Sequence, residues 1–460
     1  MDESRKHSSN EIGEGHDPCI IQALVEKTKK RISMIPSSPS EPAAIEKLCI
    51  FKLPQRFKNV NRMWNTPQVV AIGPYNRHKP ELQATEEIKL RCLNFFIDKT
   101  RPTSQDLDVY YQQIYPHVKE VRECYSKDDS YLSVREDEFL EMMLVDGCFI
   151  LSFLLFYMEE ETSDHPLYRL DTVTLRKIYG DLLLLENQIP SVVLVKLYEI
   201  YRKPNTTLSL KNIAIKVFMR LLGVRCPIHG NELEKKEFKW FHLLDIVRNI
   251  FVQSSVKMMA MGGSQIPCVT KLRHVGIKVR RPHAYWAKNI LDVSFRARGS
   301  VIHIPTIILD DEMCLLLMNC VALEEQCHNI TPKPFLSYAV LLDCLVNTAK
   351  DIVYLSNHRS GIMEHIFETD AKAADFINNL GKGLTSYNKS DLSRAVNNIY
   401  RERLVYQETS NWFRWQWKSF KQEFFGKSWL LISAFVGLAL LVLTYLQTHF
   451  TIYAYMHPKC

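Results

Sequence analysis

The chain has 460 residues, of which 46% are hydrophobic, and this is enough to bury a sizeable core. Its formal net charge of +7 is modest for this length, so a nucleic-acid-binding protein is not expected. The first residues are polar and lead into no apolar segment, so the sequence predicts no cleavable signal peptide.

The N-terminal region changes character near residue 45. Residues 1–44 are rich in Ser, Glu, Lys and Pro, a composition that predicts a disordered segment. Residues 45–410 are predicted to form one mainly helical soluble domain. It opens with a β-rich apolar run, Thr66–Tyr75, which contains a Gly-Pro stop. A helix is predicted next, over Leu82–Asp98.

Two central helices are predicted in the middle of the chain. Glu136–Glu160 begins with acidic residues and then becomes apolar, but its apolar part is too short to span a bilayer, which indicates a buried helix. Thr172–Asn187 is apolar nearly all round, and Pro190 breaks this run. Further helices are predicted over Val192–Tyr201, Leu208–Leu222 and Glu234–Val252.

Four polar residues interrupt these apolar runs, namely Asp146, Glu186, Asn187 and Gln188. Their side chains are suited to satisfying the backbone groups that an interruption exposes, so we predict a structural polar cluster. The alternative is a ligand-binding or catalytic site. In that case Asp146, Asp181 or Glu186 would act as the reactive carboxylate.

The hydrophobic period changes from 3.6 to 2 within residues 270–310. The alternation predicts a small antiparallel sheet of about three strands beside the helical body. Its loops carry a basic patch, which consists of Lys271, Arg273, Lys278, Arg280 and Arg281. This patch is the best candidate for contact with an acidic partner or with nucleic acid, and a solvated face is the alternative. Helices are predicted to return at Glu312–His328, Tyr338–Leu355, His365–Leu380 and Ser390–Ser410.

Residues 411–428 form an aromatic and basic juxtamembrane segment. Aromatic residues, among them Trp417, share one helical face, and Arg414, Lys418 and Lys421 make an adjacent basic stripe. Such a helix suits the surface of an anionic membrane. The alternative is that its aromatic residues pack on the soluble domain.

Residues 429–447 carry no charge and are long enough for a helix to cross a bilayer. Trp429, Leu430, Phe435, Leu441 and Tyr445 are the predicted anchor residues. Basic residues precede this segment and only Lys459 follows it, so we expect the bulk of the chain in the cytosol and the short tail 448–460 outside. The membrane would be the plasma membrane or the endoplasmic reticulum. The alternative is a buried core helix.

Chemical motifs are absent from the sequence. The twelve cysteines form no Cys-x-x-Cys pair, and the group Cys314, Cys320, Cys327 and His328 lacks the spacing of a zinc site. Free thiols in a reducing compartment are expected instead. The phosphate-loop, hydrolase and kinase motifs are also missing. We therefore expect no enzyme, no cofactor, and no catalytic, cofactor-binding or metal-binding residue.

Several stretches resemble a known plant family. Pro67–Tyr75, Lys79–Gln83, Phe139–Ile150, Asp181–Pro190 and Ala322–Cys327 resemble, in order, the blocks of the plant domain-of-unknown-function 247 family. The resemblance implies a plant protein with a largely helical domain and a C-terminal anchor. It implies no established activity, although some grass members are linked to pollen–stigma self-recognition.

These observations lead to two hypotheses about function. The first is a membrane-anchored recognition, signalling or scaffold protein that contacts membrane lipid and an unknown protein partner. The second is an uncharacterised enzyme with a carboxylate-based site. The sequence does not predict an oligomeric state.

Overall fold

The computed structural model describes residues 49–58, 61–100, 107–126, 134–158, 164–202, 208–223, 238–254, 266–282, 289–357, 360–384, 394–405 and 428–456. The predicted disordered segment 1–44 lies outside these ranges, and so do the juxtamembrane residues Arg414, Trp417, Lys418 and Lys421.

The described residues are mainly helical, which confirms the predicted fold class. In the first half the helices are α1 (Gln55–Lys58), α2 (Glu86–Thr100), α3 (Leu107–Ile114), α4 (Val118–Glu123), α5 (Glu136–Met158), α6 (Thr172–Asp181), α7 (Ser191–Tyr201) and α8 (Leu210–Leu222). In the second half they are α9 (Leu243–Ser254), α10 (Val269–His274), α11 (Asp311–Gln326), α12 (Pro334–Leu345), α13 (Ala349–Ser356), α14 (Asp370–Gly381), α15 (residues 394–405) and α16 (Ser428–Met456). One hydrophobic core runs through the domain from Cys49 to Val396.

Helix α5 lies at the centre of the first half. Glu136, Asp137 and Glu138 occupy its first turn, where the helix dipole favours negative charge. Apart from Glu141 and Asp146, the remainder carries no charge, and it packs against α2, α7 and α8. The helix is long and apolar enough to cross a membrane, but 89% of its most apolar window is buried. It is therefore a core helix, as the sequence predicts.

Helix α11 has the corresponding position in the second half. Asp310 caps it by accepting a hydrogen bond from the backbone N–H of Met313 at 3.0 Å. The helix is buried along most of its length and packs against α9, α12 and strand β4 (Ile307–Leu309). Residues from Met313 to Glu324 thus join the two halves in one core.

The small sheet near residues 270–310 is present, but its pairing is mixed. Strands β1 (Lys278–Arg280), β2 (Ser294–Arg296) and β3 (Val301–His303) lie in the order β1-β3-β2. The β2–β3 pair is antiparallel, as predicted, but β1 and β3 are parallel. The reason is that β2 takes the outer edge instead of the centre, so β1 pairs with the strand that runs in its own direction. A second parallel pair, β4 with β5 (Met363–His365), was not predicted.

Local capping explains where the helices differ from the sequence predictions. The predicted helix Thr172–Asn187 ends at Asp181. The predicted helix Tyr338–Leu355 is divided into α12 and α13, because Thr348 and Asp351 form a capping box that starts a new helix. Helix α14 starts at Asp370 instead of His365, since Thr369 caps it and the preceding residues form β5.

Candidate functional site

The buried polar residues of the first half surround an extended segment of the chain, residues 67–76. The sequence predicts a β-rich run here, but the segment pairs with no strand among the described residues. Its backbone is nevertheless largely buried, since Val70, Ala71 and Ile72 are at most 2% exposed. Buried N–H and C=O groups need partners, and side chains from α2, α5 and the α6–α7 connection supply them.

Asp181, the last residue of α6, binds the start of the extended segment. Its carboxylate accepts hydrogen bonds from the backbone N–H groups of Gln68 (2.8 Å), Val69 (2.7 Å) and Val70 (2.9 Å). Burial raises the pKa of Asp181 to about 6, although the three amides favour the charged form and oppose this rise. Successive amides of a strand point to opposite edges, so the backbone has to bend at Gln68 and Val69 for three consecutive N–H groups to reach one carboxylate.

Asn187 and Asp146 bind the next residues of the extended segment. The Asn187 side chain accepts from the N–H of Ile72 (2.7 Å) and donates to the carbonyls of Val70 and Asp181 (both 3.0 Å). Asp146 accepts from the N–H of Gly73 at 2.8 Å. Gly73 is required here, since its φ is +69° and an added Cβ would lie 2.7 Å from the carbonyl oxygen of Gln188.

Lys89 completes this cluster from α2. Its ammonium, 1% exposed, donates to Asp146 Oδ1 and Glu86 Oε1 (both 2.7 Å) and to the carbonyl of Ala71. Burial raises the pKa of the Asp146 carboxyl, and the charge of Lys89 opposes that rise. The ammonium therefore neutralises a carboxylate that would otherwise be buried without a counter-charge.

Gln188 and Glu186 bind backbone groups on either side of Pro190. Gln188 Nε2 donates to the carbonyls of Leu182 and Leu184 (both 2.8 Å), and its Oε1 accepts from the N–H of Leu244 (3.2 Å). Glu186 accepts from the N–H of Leu53 at 2.7 Å, and burial raises its pKa. The structure therefore brings Asp146 and Asn187 together on the extended segment, and it turns Gln188 and Glu186 toward neighbouring loops and helices.

A second buried ion pair, which the sequence reasoning missed, joins α9 to α11. Arg248 Nε donates to Glu324 Oε1 at 2.7 Å, and Glu324 Oε2 accepts from the N–H of Leu336 at 2.9 Å. Arg248 also donates to the carbonyl of Pro332. Burial raises the pKa of Glu324 to about 7, and the charge of Arg248 opposes the rise. The pair holds Pro332 and the first turn of α12 against the core.

Lys89 was also missed, although helical periodicity could have placed it. Lys89, Cys92, Phe96 and Thr100 are the buried residues of α2, and all lie on one helical face. A lysine on the same helical face as Cys92 and Phe96 is buried with them and needs a partner for its charge. The sequence pattern therefore indicates a buried pairing at Lys89. Its partner Asp146 is 57 residues away, so the pairing itself was not predictable.

The sequence-predicted basic patch partly lines a cavity of about 310 Å³. Arg273, Lys278 and Arg280 contribute to its wall, together with Tyr354 and Ser360. The guanidinium of Arg273 lies 5.1 Å from the centre of the Tyr354 ring. Lys271 and Arg281 are exposed but do not line the cavity.

Helix α16 contains the predicted anchor residues Trp429, Leu430, Phe435, Leu441 and Tyr445. The helix continues to Met456, where the sequence predicts a short tail, and its stretch Phe435–Tyr453 has the length and composition to cross a membrane. None of this apolar window is buried, and Phe435, Leu441 and Tyr445 are at least 70% exposed. The span is a candidate membrane helix by length and composition.

Three threonines of α16 form hydrogen bonds with the backbone of their own helix. Thr444, Thr448 and Thr451 each donate to the carbonyl four residues earlier, at 2.7, 2.8 and 2.7 Å. Hydroxyls bonded in this way need no water, and this is the arrangement that a hydrocarbon environment requires.

Comparison with known proteins confirms the resemblance noted in the sequence. A family model described as a plant protein of unknown function, DUF247, matches residues 50–443. The UPF0481 protein At3g47200 of Arabidopsis thaliana is 28% identical over 449 residues, covering 91% of this chain and 89% of that protein. The putative UPF0481 protein At3g02645, also of Arabidopsis thaliana, is 26% identical over 44% of this chain and 37% of its own length. No solved structure matches the chain. Because the family model covers most of its length, the protein belongs to the plant family of unknown function DUF247.

Proposed function

We propose that α16 holds this protein in a membrane and that the helical domain acts as a recognition, signalling or scaffold module through contacts with a protein partner. The contrast between α5 and α16 supports the membrane location. Both helices have the length and composition to cross a membrane, but 89% of the apolar window of α5 is buried and none of that of α16 is. A long apolar helix that the protein itself does not bury requires another apolar environment, and membrane lipid is the one we propose.

We place the domain on the cytosolic side of the plasma membrane or the endoplasmic reticulum. Basic residues are concentrated before α16, and positive charge tends to stay cytosolic. Arg403 is one of these residues, but it donates to the carbonyl of Gly276 (3.0 Å) and to Ser300 Oγ (2.7 Å). Its charge is therefore used in packing α15, so we infer the orientation from Arg414, Lys418, Lys421 and Lys427.

Recognition is favoured over carboxylate catalysis by the contacts of the polar cluster. Asp146, Asp181 and Glu186 all accept hydrogen bonds from backbone amides, so these groups have a structural use. The part of the chain that the structure describes also contains no group of three or more His, Cys, Asp or Glu residues that could hold a metal ion. Pollen–stigma self-recognition, which the family resemblance suggests, is one process in which such a module would act.

Alkaline carbonate extraction of plant microsomes tests the membrane anchor. The full chain should remain in the membrane pellet, and Leu441→Arg/Leu443→Arg should move it to the supernatant. Each arginine near the centre of a span costs roughly 2.5–3.5 kcal/mol of insertion free energy. The matched variant Leu441→Ile/Leu443→Ile should stay in the pellet. Release of the unmodified chain by carbonate would disprove the anchor.

Protease protection on sealed microsomes tests the orientation in the same preparation. A tag before Met1 should be digested and a tag after Cys460 should survive. The reverse pattern would place the domain outside the cytosol and direct the search to an extracellular partner.

A further inference from the structure

The cavity beside β1 has walls of a definite chemical character. It is lined by β1 and the residues just before it, and by Tyr354, Asn357 and Ser360, and its volume is about 310 Å³. Three basic side chains line it, Arg273, Lys278 and Arg280, and no acidic side chain does so among the described residues. The space is therefore suited to an anion.

The strand geometry places two of these basic residues on the same side. Lys278 and Arg280 are exposed, whereas Val279 between them is buried. Residues two apart on a strand lie about 7 Å from each other and point to the same face. Neither of these two side chains, nor that of Arg273, forms an ion pair with any acidic residue that the structure describes. Their charges are therefore available to a ligand.

The backbone of β1 adds a further polar edge. Lys278 donates its N–H to the carbonyl of Ser300 (2.9 Å), and the carbonyl of Arg280 accepts from Ile304 (3.0 Å). In a parallel ladder alternate residues face the partner strand, so the N–H and C=O of Val279 point to the opposite edge. Val279 is one of the residues that line the cavity. The N–H of Arg281 donates to the carbonyl of Ser360 (3.2 Å), which joins the two walls.

We propose that this cavity binds the phosphate groups of a small polyphosphorylated polyol, such as an inositol phosphate, either free or as a lipid headgroup. Guanidinium groups bind phosphate oxygens with two parallel hydrogen bonds, and Lys278 adds a point charge. The volume is at the lower end of small-molecule sites, which favours a compact ligand. The Tyr354 ring is covered by Arg273, so it offers no free platform for the base stacking of a nucleic acid.

The position of α15 makes a lipid headgroup one source of this ligand. Arg403 of α15 binds the carbonyls of Val275 and Gly276, and Gly276 itself lines the cavity. Only residues 406–427 separate α15 from α16. The site itself does not depend on α16, so the carbonate experiment and the binding test can fail independently.

Binding is measured on the full chain in dodecylmaltoside micelles, by anisotropy of fluorescent inositol 1,4,5-trisphosphate. We expect saturable binding that weakens as salt is raised. Arg280→Glu and Lys278→Glu should each weaken it at least about tenfold, because each removes a charge-assisted contact and adds a repulsive charge. Arg280→Gln, which removes the charge alone, should lie between Arg280→Glu and the unmodified chain.

Arg296→Glu is the matched control. Arg296 is exposed on β2, at the other edge of the same sheet, and does not line the cavity. This variant should bind within about twofold of the unmodified chain, since it makes the same charge change away from the site. Thermal melting of each variant by circular dichroism verifies that it is folded.

The source of the ligand is distinguished by placing the full chain in phosphatidylcholine nanodiscs, with and without phosphatidylinositol 4,5-bisphosphate. If the ligand is a lipid headgroup, the discs that contain phosphatidylinositol 4,5-bisphosphate should compete with the soluble probe and weaken its binding. If the ligand is free, the probe should bind equally well to the protein in both kinds of disc. Absence of saturable binding would overturn the proposal, as would an equal loss in Arg296→Glu. Tighter, Arg280-dependent binding of a single-stranded oligonucleotide would also overturn it and assign the patch to nucleic acid.

Discussion

Asp181 shows how one side chain can satisfy a bend in a buried backbone. Its carboxylate accepts from three consecutive amides of the extended segment, and burial raises its pKa to about 6. Because this folded-state pKa lies above the unfolded value near 3.8, the folded protein binds the extra proton between these pH values. The stability that protonation of Asp181 contributes to the folded protein is fully present below about pH 4 and is lost as the pH rises through 6.

The variant Asp181→Asn should isolate this effect. An amide does not titrate, so the difference in unfolding free energy between the unmodified chain and Asp181→Asn should fall by on the order of 3 kcal/mol from pH 4 to pH 7. Chemical denaturation of the full chain in detergent micelles, followed by circular dichroism, measures this difference at each pH.

Asp171 provides a control of opposite sign in the same helix. It caps α6 by accepting from the N–H of Thr174 (2.8 Å), and this hydrogen bond lowers its pKa. A lowered pKa gives stability that is present above the unfolded pKa and is lost as the pH falls through the folded value. The difference in unfolding free energy between the unmodified chain and Asp171→Asn should therefore become smaller as the pH falls. A pH-independent difference for Asp181→Asn would show that the three amides already keep Asp181 ionised.

The residue types at the polar cluster were predictable, but their partners were not. Asp146, Glu186, Asn187 and Gln188 stand out because each interrupts an apolar run. The groups that they bind lie far away in sequence: Gly73 is 73 residues from Asp146, and Ile72 is 115 residues from Asn187. Local periodicity contains no information about such contacts. Their structural role, as opposed to a ligand-binding one, stays a prediction that the Asp181 experiment begins to test.

At the level of elements, α5 and α7 cross at a glycine. A Cβ added to Gly147 would lie 2.5 Å from Leu197 Cδ1 and 3.4 Å from Val193 Cγ1. Gly147→Ala should therefore lower the unfolding free energy by about 1–3 kcal/mol, since a close-packed core resists an extra methyl group. In a Leu197→Ala background the same substitution should lose this cost, because the clashing atom is gone. Chemical denaturation of all four chains measures the coupling.

Gly180 in α6 provides the matched glycine. A Cβ there would meet only Leu315 Cδ1, at an ordinary 3.7 Å. Gly180→Ala should stabilise the protein by roughly 0.5–1 kcal/mol, because alanine loses less backbone entropy in a helix. If Gly147→Ala also stabilised the protein, the close approach of α5 and α7 would not limit the packing.

Helices were predicted better than sheets, for a physical reason. The pattern that defines α5 or α7 lies within one short stretch, so its existence follows from neighbouring residues. The order β1-β3-β2 depends on which strand takes the edge, and β4 pairs with β5 across more than 50 residues. The alternation of apolar and polar residues predicts that a strand exists, but it does not predict which strand pairs with it.

At the scale of the whole molecule, the domain and α16 should be separable. The hydrophobic core runs from Cys49 to Val396, and the described side chains of α16 from Phe435 onward are exposed. Removing everything after Lys427 should therefore give a protein that stays in solution without detergent and melts within about 3 °C of the full chain in micelles, since the core that the structure describes includes no residue of α16. Sedimentation and circular dichroism measure both properties. Irreversible aggregation of the truncated chain would show that α16 covers part of the domain, and the exposed apolar face of α16 would then be an internal contact surface and not a lipid-facing one.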